Sequence, residues 1–367
     1  MENRKDQEYM ERALSLAIKG GGYVNPNPQV GAIVVNDGRV VGEGFHREFG
    51  APHAEVEALE DAGPLAKDAT MYVTLEPCVH YGKTPPCVDK IIETGIARVE
   101  VATRDPNPKV FGKGIEKMES NGIDVSLGLK EREAKKRNEI YFHYVKAGRP
   151  FVLLKLAMTL DGKIATKSGD SHWISSEPAR EMVHSLRARY SGVGVGVNTI
   201  ISDDPRLNVR KADGPDGTRF IFDTRGNTPV NSRIFELESD APTVVVSGEG
   251  LPEADLLPYK NSGAKVWQFP EREGVIDLEA FLKKMGKENY DSLMVEGGSE
   301  VAWSFLNQDL VDKILFFYSP GIIGGREAVP SVGGTGEEKV KDAIRIEEMD
   351  ISRVGDDFSL VGYPLKR

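Results

Sequence analysis

His53, Cys78 and Cys87, with Glu55 two residues past the histidine, are the residues of this chain best suited to chemistry. One imidazole and two thiolates can hold a zinc ion and leave the fourth tetrahedral position to water. The metal lowers the pKa of that water to about 7, which gives a hydroxide at neutral pH. A neighbouring carboxylate, here Glu55, can take the proton and pass it to a departing amine. H-x-E followed by P-C and a second cysteine is the arrangement of zinc deaminases that act on amino-pyrimidine or purine rings, usually with P-C-x-x-C spacing. Here eight residues separate Cys78 from Cys87. The two are the chain's only cysteines. The bland alternative is a Cys78–Cys87 bridge or two unrelated thiols, and a reducing compartment disfavours the bridge. His80, in the loop between the cysteines, offers a fourth ligand and with it a closed structural site.

The elements that must position these groups are legible nearby. Met10, Ala13, Leu14 and Ala17 have helical spacing, and Gly20-Gly21-Gly22 ends that helix. Asn25-Pro26-Asn27-Pro28 is a rigid polar turn; it is either only that, or its prolines fix the Asn27 side chain at a pocket rim. Residues 30–35 read as a buried strand, Asn36-Asp37-Gly38 as a hairpin turn and 39–43 as the return strand. His46 follows on a loop. Pro52 stands in the first turn of a helix that carries His53 and Glu55. Two residues apart, these lie about 200° around a regular helix, so they can converge only at a frayed first turn. The strand over 71–75 runs into Cys78. Cys87 opens a helix over 88–94, whose N-terminal dipole favours a thiolate. A strand over 98–103 leads to Asp105-Pro106-Asn107, and then come a helix (112–120), a strand (123–127) and a helix (130–145). Alternation of this kind predicts an α/β layered sheet with ligands at the carboxyl ends of its strands. Cys78 and Asp105 fall just past such ends.

Ala147-Gly148-Arg149-Pro150 reads as a joint, giving domains 1–147 and 148–367. Residues 151–157 form an apolar strand interrupted by Lys155. An interior lysine is costly unless paired, so its head is expected at a pocket edge. Ser168 to Ile174 is a polar loop, and Ser175-Ser176-Glu177-Pro178 caps a helix that runs past Arg187. Gly192, Gly194 and Gly196 alternate within a strand. This is not the dinucleotide fingerprint; it suits close approach of a ligand or a backbone. Asp203-Asp204-Pro205 is a turn at the least, with Asp203 at a catalytic or cofactor position and Arg210 meeting a phosphate. Strands follow over 219–223, 243–247, 264–268 and 292–295. The last runs into Glu296-Gly297-Gly298-Ser299 and a helix, which is either a plain tight turn or an anion site. A further strand covers 312–318.

At 367 residues the chain has room for two domains, and its 40% hydrophobic and 28% charged content suits globular cores. Its net charge is −10, split −2 and −8 at residue 150. Neither half is basic enough to suggest nucleic-acid binding. No apolar run reaches the roughly 18 residues of a membrane span, and the charged start is unlike a signal peptide. A cytoplasmic protein is expected.

The run Pro77-Cys78-Val79-His80-Tyr81-Gly82-Lys83-Thr84-Pro85-Pro86-Cys87 resembles the deaminase domain of the bifunctional riboflavin biosynthesis enzymes, in which a longer loop separates the ligand cysteines. Asn25 to Gly31 and Asp105-Pro106-Asn107 match the same family. The second half resembles its reductase domain in Thr159-Leu160-Asp161-Gly162-Lys163, Ser171-His172-Trp173-Ile174-Ser175, Val197-Asn198-Thr199, Asp203-Asp204-Pro205 and Glu296-Gly297-Gly298.

The resemblance implies an α/β protein with an N-terminal cytidine-deaminase-like αβα domain and a C-terminal dihydrofolate-reductase-like domain. It implies zinc on His53, Cys78 and Cys87, proton shuttling by Glu55, and pyrimidine-nucleotide contacts at Asn27, His46, His80, Lys83, Thr84, Asp105 and Asn107. It implies NADPH at Ala157, Trp173, Thr199, Asp203 and Gly298, and substrate at Ser171, Arg187, Leu207, Arg210 and Glu296. Lys155 and Asp203 are the candidates for assisting hydride transfer. The expected partner is a small phosphorylated pyrimidine, with no nucleic acid and no membrane, and a homo-oligomer is expected. The expected reactions are hydrolytic deamination of 2,5-diamino-6-ribosylamino-4(3H)-pyrimidinone 5′-phosphate and reduction of its ribosyl chain to ribityl. Two rivals are a polynucleotide deaminase, which needs stacking aromatics and basic strips near the zinc, and a non-enzymatic zinc scaffold closed by His80.

Overall fold

The computed structural model describes residues 4–82, 85–172, 174–272 and 274–367. They form two compact units, Met1–Gly148 and Arg149–Arg367. In chain order the first unit holds α1 (Arg4–Ala17), β1 (Gly31–Asn36), β2 (Arg39–Phe45), α2 (Ala54–Ala62), β3 (Thr70–Val73), α3 (Cys87–Thr94), β4 (Arg98–Val101), α4 (Lys113–Ser120), β5 (Asp124–Leu127), α5 (Glu131–Arg137) and α6 (Glu139–Ala147). The sheet order is β2-β1-β3-β4-β5, with β1 antiparallel to β2 and β3, and β3, β4 and β5 parallel. One apolar core joins α2 and α3 to the sheet through Ala58, Leu59, Val88 and Ile91. A second joins α1 to it through Met10, Ala13 and Leu14.

Two glycines bring α2 close to the sheet. A Cβ at Gly44 would stand 2.3 Å from the Ala54 carbonyl oxygen, and one at Gly42 would stand 2.2 Å from that of Ala58. The alternating Val41-Gly42-Glu43-Gly44 run thus sets the height of the helix that begins at Ala54. Pro52 lies before this helix, not in its first turn. His53 is the N-cap residue, extended at φ −77° and ψ 163°. The 130–145 segment is two helices rather than one. Asn138 breaks it, because its amide gives and takes hydrogen bonds with the buried Gln29 backbone at 2.8 and 2.9 Å.

The second unit holds β6 (Phe151–Thr159), β7 (Lys163–Ala165), α7 (Glu177–Arg189), β8 (Gly192–Gly196), α8 (Val197–Asp203), β9 (Thr218–Phe222), β10 (Thr243–Gly248), α9 (Glu253–Asn261), β11 (Lys265–Phe269), β12 (Glu271–Arg272), β13 (Val275–Ile276), α10 (Leu278–Lys287), β14 (Ser292–Glu296), α11 (Ser299–Asn307), β15 (Lys313–Ser319), β16 (Val329–Pro330), β17 (Ile346–Val354) and β18 (Asp357–Pro364). Its main sheet runs β11-β10-β9-β8-β14-β6-β15-β18-β17. The strands from β11 to β15 are parallel, and the β17–β18 hairpin adds antiparallel at the edge.

Two of the β8 glycines, Gly192 and Gly194, make room for side chains, whereas Gly196 at the strand end also lines a cavity. Cβ atoms at Gly192 and Gly194 would meet the Phe220 and Phe222 rings at 2.8 Å, and one at Gly196 would meet the Val301 side chain. These rings stack edge-to-face with Phe281 at 5.3 and 5.2 Å. Ser176 occupies the N-cap of α7, but its hydroxyl bonds the Val354 carbonyl instead of capping the helix. Among the described residues no helix is long and apolar enough to cross a membrane.

Candidate active sites

In the first unit, His53, Cys78 and Cys87 present donor atoms that all lie within 4.8 Å of one another. The loop after β3 carries Cys78, and α3 begins at Cys87, so two main-chain contacts tie the sulfurs together. The Cys87 amide donates to Cys78 Sγ at 3.4 Å, and the Val88 amide donates to the Cys78 carbonyl at 3.2 Å. His53 Nδ1 stands 3.2 Å from Cys87 Sγ and 3.6 Å from Cys78 Sγ. The Cys87 thiol, the His53 ring and the Cys87 amide pull the Cys78 thiol down to about 4. Its bond to Cys78 and its burial push the Cys87 thiol up. Two sulfurs and an imidazole at this separation are a soft tetrahedral donor set, which a zinc ion fits.

Glu55 is buried, 4% exposed, and touches Cys87. Burial raises its pKa to about 7, against the pull of His53. The cap position of His53 resolves the helical-wheel conflict: His53 leaves the helix axis while Glu55 sits inside the first turn. The His46 ring meets the His53 ring edge-on at 5.2 Å. His46 is held by the Pro52 carbonyl at 3.1 Å on one nitrogen and by Asn27 Nδ2 at 3.1 Å on the other. His80 Nδ1 is buried with no hydrogen-bond partner among the described residues, and His80 is not in the metal-ligand group.

Asp105 and Asn107 sit in one turn, where Asn107 N donates to Asp105 Oδ1 at 2.8 Å. Burial raises Asp105 to about 6, although the Asn107 amide and the Tyr141 hydroxyl oppose it. Tyr141 donates to both Asp105 oxygens, at 3.0 and 3.2 Å. Buried Glu76 accepts from the amides of Asp105, Gly112, Gly114 and Ile115, and so fixes the loop that carries Asp105.

In the second unit a cavity of about 760 Å³ opens beyond the carboxyl ends of β8, β9 and β14. Thr199, Asp203, Gly298 and Ser171 line it. The Ser171 hydroxyl donates to Asp203 Oδ1 at 3.1 Å. A buried charge cluster stands midway along β6 and at the end of β14. Arg187 makes two hydrogen bonds to Glu296, at 2.6 and 2.9 Å, and Lys155 Nζ lies 3.9 Å from the same carboxylate. Burial pushes the Glu296 carboxyl up, and Arg187 with Lys155 more than reverses this, so its pKa lies below the ordinary value. Burial lowers the Lys155 pKa despite Glu296. Burial, then Arg187 and Arg206, lower that of Arg210. Arg187 and Arg210 both bond Asn208. Leu207, buried at φ 55°, turns the chain between them.

Residues 150–360 match the family described as the RibD C-terminal domain, and residues 3–103 match the cytidine and deoxycytidylate deaminase zinc-binding region. The riboflavin biosynthesis protein RibD of Aquifex aeolicus is 44% identical over 96% of this chain and 97% of its own. That of Escherichia coli is 38% identical over 97% and 98%. Among solved structures, Acinetobacter baumannii RibD superposes with a TM-score of 0.87 at 34% identity over 99% of both chains. A Thermotoga maritima diaminohydroxyphosphoribosylaminopyrimidine deaminase/5-amino-6-(5-phosphoribosylamino)uracil reductase does so with 0.85 at 40%, over 98% of this chain and 99% of that one.

The chain belongs to the RibD family.

It is therefore a bifunctional deaminase and reductase of riboflavin biosynthesis that uses Zn²⁺ and NADPH. Within the family frame, the structure gathers His53, Cys78, Cys87, Glu55, His46 and Asn27, and separately Lys155, Arg187 and Glu296. Ala157 lies on β6 two residues beyond Lys155 and is not among the residues lining the cavity. Lys83, Thr84 and Trp173 lie outside the described residues. Sequence reasoning missed Tyr141, Glu76 and the loop 224–227. For that loop the available signal was its place just past the β9 strand end, where ligands of parallel sheets collect.

Proposed function

We propose that residues 1–147 deaminate 2,5-diamino-6-ribosylamino-4(3H)-pyrimidinone 5′-phosphate and that residues 148–367 then reduce its ribosyl chain to ribityl with NADPH. The observation that carries this reading is the His53–Cys78–Cys87 donor cluster with a buried carboxyl, Glu55, beside it. His53, Cys78 and Cys87 hold zinc, which when bound supplies a water acidic enough to attack near neutral pH. Glu55, with a pKa of about 7, can both accept and return a proton there. It moves the water's proton to the departing ammonia. Asn27 and His46 orient the ring, and His80 Nδ1 is a buried polar atom left for the substrate. Asp105 and Asn107 hold the ribose phosphate portion.

In the second unit Thr199, Asp203 and Gly298 hold NADPH, with Ala157 at the neighbouring strand edge. Ser171, Arg187, Leu207, Arg210 and Glu296 hold the deaminated product. The like-charged surroundings of Arg210 favour an anionic guest such as its phosphate. Lys155 and Asp203 serve the proton side of hydride transfer. The same reading has a cytoplasmic homo-oligomer, whose size light scattering measures.

The test combines metal analysis with ammonia release and NADPH oxidation on the pyrimidine nucleotide. Glu55→Gln is expected to keep zinc and lose ammonia release by roughly 10²–10⁴-fold. Asp203→Ala is expected to impair NADPH oxidation on the deaminated substrate alone. Unchanged ammonia release in the first variant removes Glu55 from the shuttle role.

A further inference from the structure

A carboxylate turns easily about its last torsion, which has no sharp staggered wells, so an aspartate that must meet a guest in one orientation needs donors to hold its plane. Asp105 is such a group, 6% exposed on the loop after β4. The Asn107 amide donates to Oδ1 at 2.8 Å. The Tyr141 hydroxyl, on α6, sits astride both oxygens at 3.0 and 3.2 Å. Among the described residues this shared hydrogen is all that reaches Oδ2. An ionised carboxylate accepts about four hydrogen bonds, so Oδ2 has capacity to spare for a guest.

Tyr141 is built to stay a donor. Burial, and then the Asp105 charge, push its pKa up, so the hydroxyl keeps its proton. The hydroxyl also bonds the Asn107 side chain, which closes a triangle of Asp105, Asn107 and Tyr141. The Tyr141 ring packs on the apolar core that joins α2 and α3 to the sheet, and the Phe142 ring meets it edge-on at 6.2 Å.

The turn that delivers Tyr141 is anchored as well. Asn138 lies three residues earlier, about one helical turn, and is 3% exposed. Its side chain does not cap α6 but is spent on the Gln29 backbone, which it both donates to and accepts from. Gln29 stands two residues past Asn27, the partner of His46. The break between α5 and α6 thus ties one turn of helix to the segment that carries Asn27 and to the loop that carries Asp105. Glu76 has a different part: it accepts the Asp105 amide and places the loop, but leaves the carboxylate plane to Tyr141.

We infer that Tyr141 is a positioning residue of the deaminase, whose hydroxyl holds the Asp105 carboxylate in the orientation that accepts the substrate's ribose hydroxyls; this rests on the reading above that Asp105 and Asn107 hold the ribose phosphate portion. Tyr141→Phe keeps the ring and its packing and removes only the donor, so the carboxylate is free to turn.

The experiment measures kcat and KM for ammonia release from the pyrimidine nucleotide by the full-length protein, Tyr141→Phe, Asp105→Ala and the double variant, with zinc content read for each. Tyr141→Phe is expected to raise KM about 10-fold, the scale of one hydrogen bond to a charged group. Its kcat should stay within about threefold and its zinc content should match the parent's. Added to Asp105→Ala, the same change should move KM by less than about twofold, because the two act through one contact. An unchanged KM in Tyr141→Phe beside a raised KM in Asp105→Ala overturns the inference. So does a full additional loss in the double variant, which would make Tyr141 a packing residue, or a fall in kcat at constant KM, which would place it in the chemistry. An unchanged KM in Asp105→Ala overturns the reading of Asp105 and the inference with it. A parent protein that releases no ammonia would instead overturn the proposed function.

Discussion

Glu296 shows how a single residue can carry a site's electrostatics. Its carboxylate is 8% exposed and holds both Arg187 and Lys155. Removing one member of a buried ionic group leaves the rest desolvated and unpaired. Glu296→Gln is therefore expected to cost about 3–5 kcal/mol of stability, read from urea denaturation of the second unit. A loss below about 1 kcal/mol would mean the cluster behaves as a surface pair. Asp105 makes a pH prediction. Its folded pKa of about 6 lies above its ordinary 3.8, so the folded state favours the protonated form. Its contribution to stability is full below about pH 4 and is lost as pH rises through 6, a swing on the order of 3 kcal/mol. The stability of the parent relative to Asp105→Asn should therefore fall between pH 4 and pH 6, as followed by denaturant titrations. A constant difference across that window would show that burial does not govern this carboxyl.

At the scale of elements, glycine spacing decides how closely layers approach. In β2 it lets α2 descend until Gly44 meets the Ala54 carbonyl, and this places His53 and Glu55 over the cysteines. In β8 it admits the Phe220 and Phe222 rings. Gly194→Ala would put a methyl 2.8 Å from the Phe222 ring. Because that ring packs between Phe281 and Phe305, it has little room to retreat. Overpacking of this kind costs about 1–3 kcal/mol. The expected result is a lower midpoint for the second unit with normal zinc content; an unchanged midpoint would show the aromatic layer to be adaptable. The alternation itself was legible in the sequence, but its purpose was not. Period-2 glycine says that something comes close, and only the neighbouring strand says what.

At the scale of the whole molecule, the two units answer to different ligands. Removing zinc leaves His53, Cys78 and Cys87 without the cation that balances two thiolates, so chelation should loosen Met1–Gly148. NADPH at 100 times its Kd should stabilise Arg149–Arg367 by about 2.7 kcal/mol. Hydrogen exchange followed by peptide mapping separates the two effects. Protection should drop around α2 and α3 with chelator and rise around α8 and α11 with NADPH. Protection around α8 and α11 that does not respond to NADPH would place the cofactor elsewhere. The net charge of −10 gave no hint of the local basic surroundings of Arg187, Arg206 and Arg210, because a sum over 367 residues hides a cluster.

The sequence by itself singled out the His53, Cys78 and Cys87 donor group, the carboxyl of Glu55 beside it and the α/β class of both halves. Metal chemistry depends on residue type and short spacing, and strand–helix alternation is a local signal. Tertiary structure alone decided what meets what across the chain. Tyr141 closes on Asp105 from 36 residues away, and Arg187 pairs with Glu296 across 109. Asn138 breaks a helix to satisfy Gln29, also 109 residues distant. Such contacts follow from how layers stack, and no periodicity along the chain encodes them. His53 and Glu55 join the two kinds of information. Their spacing named the chemistry, and a helix that begins one residue after His53 made the geometry possible.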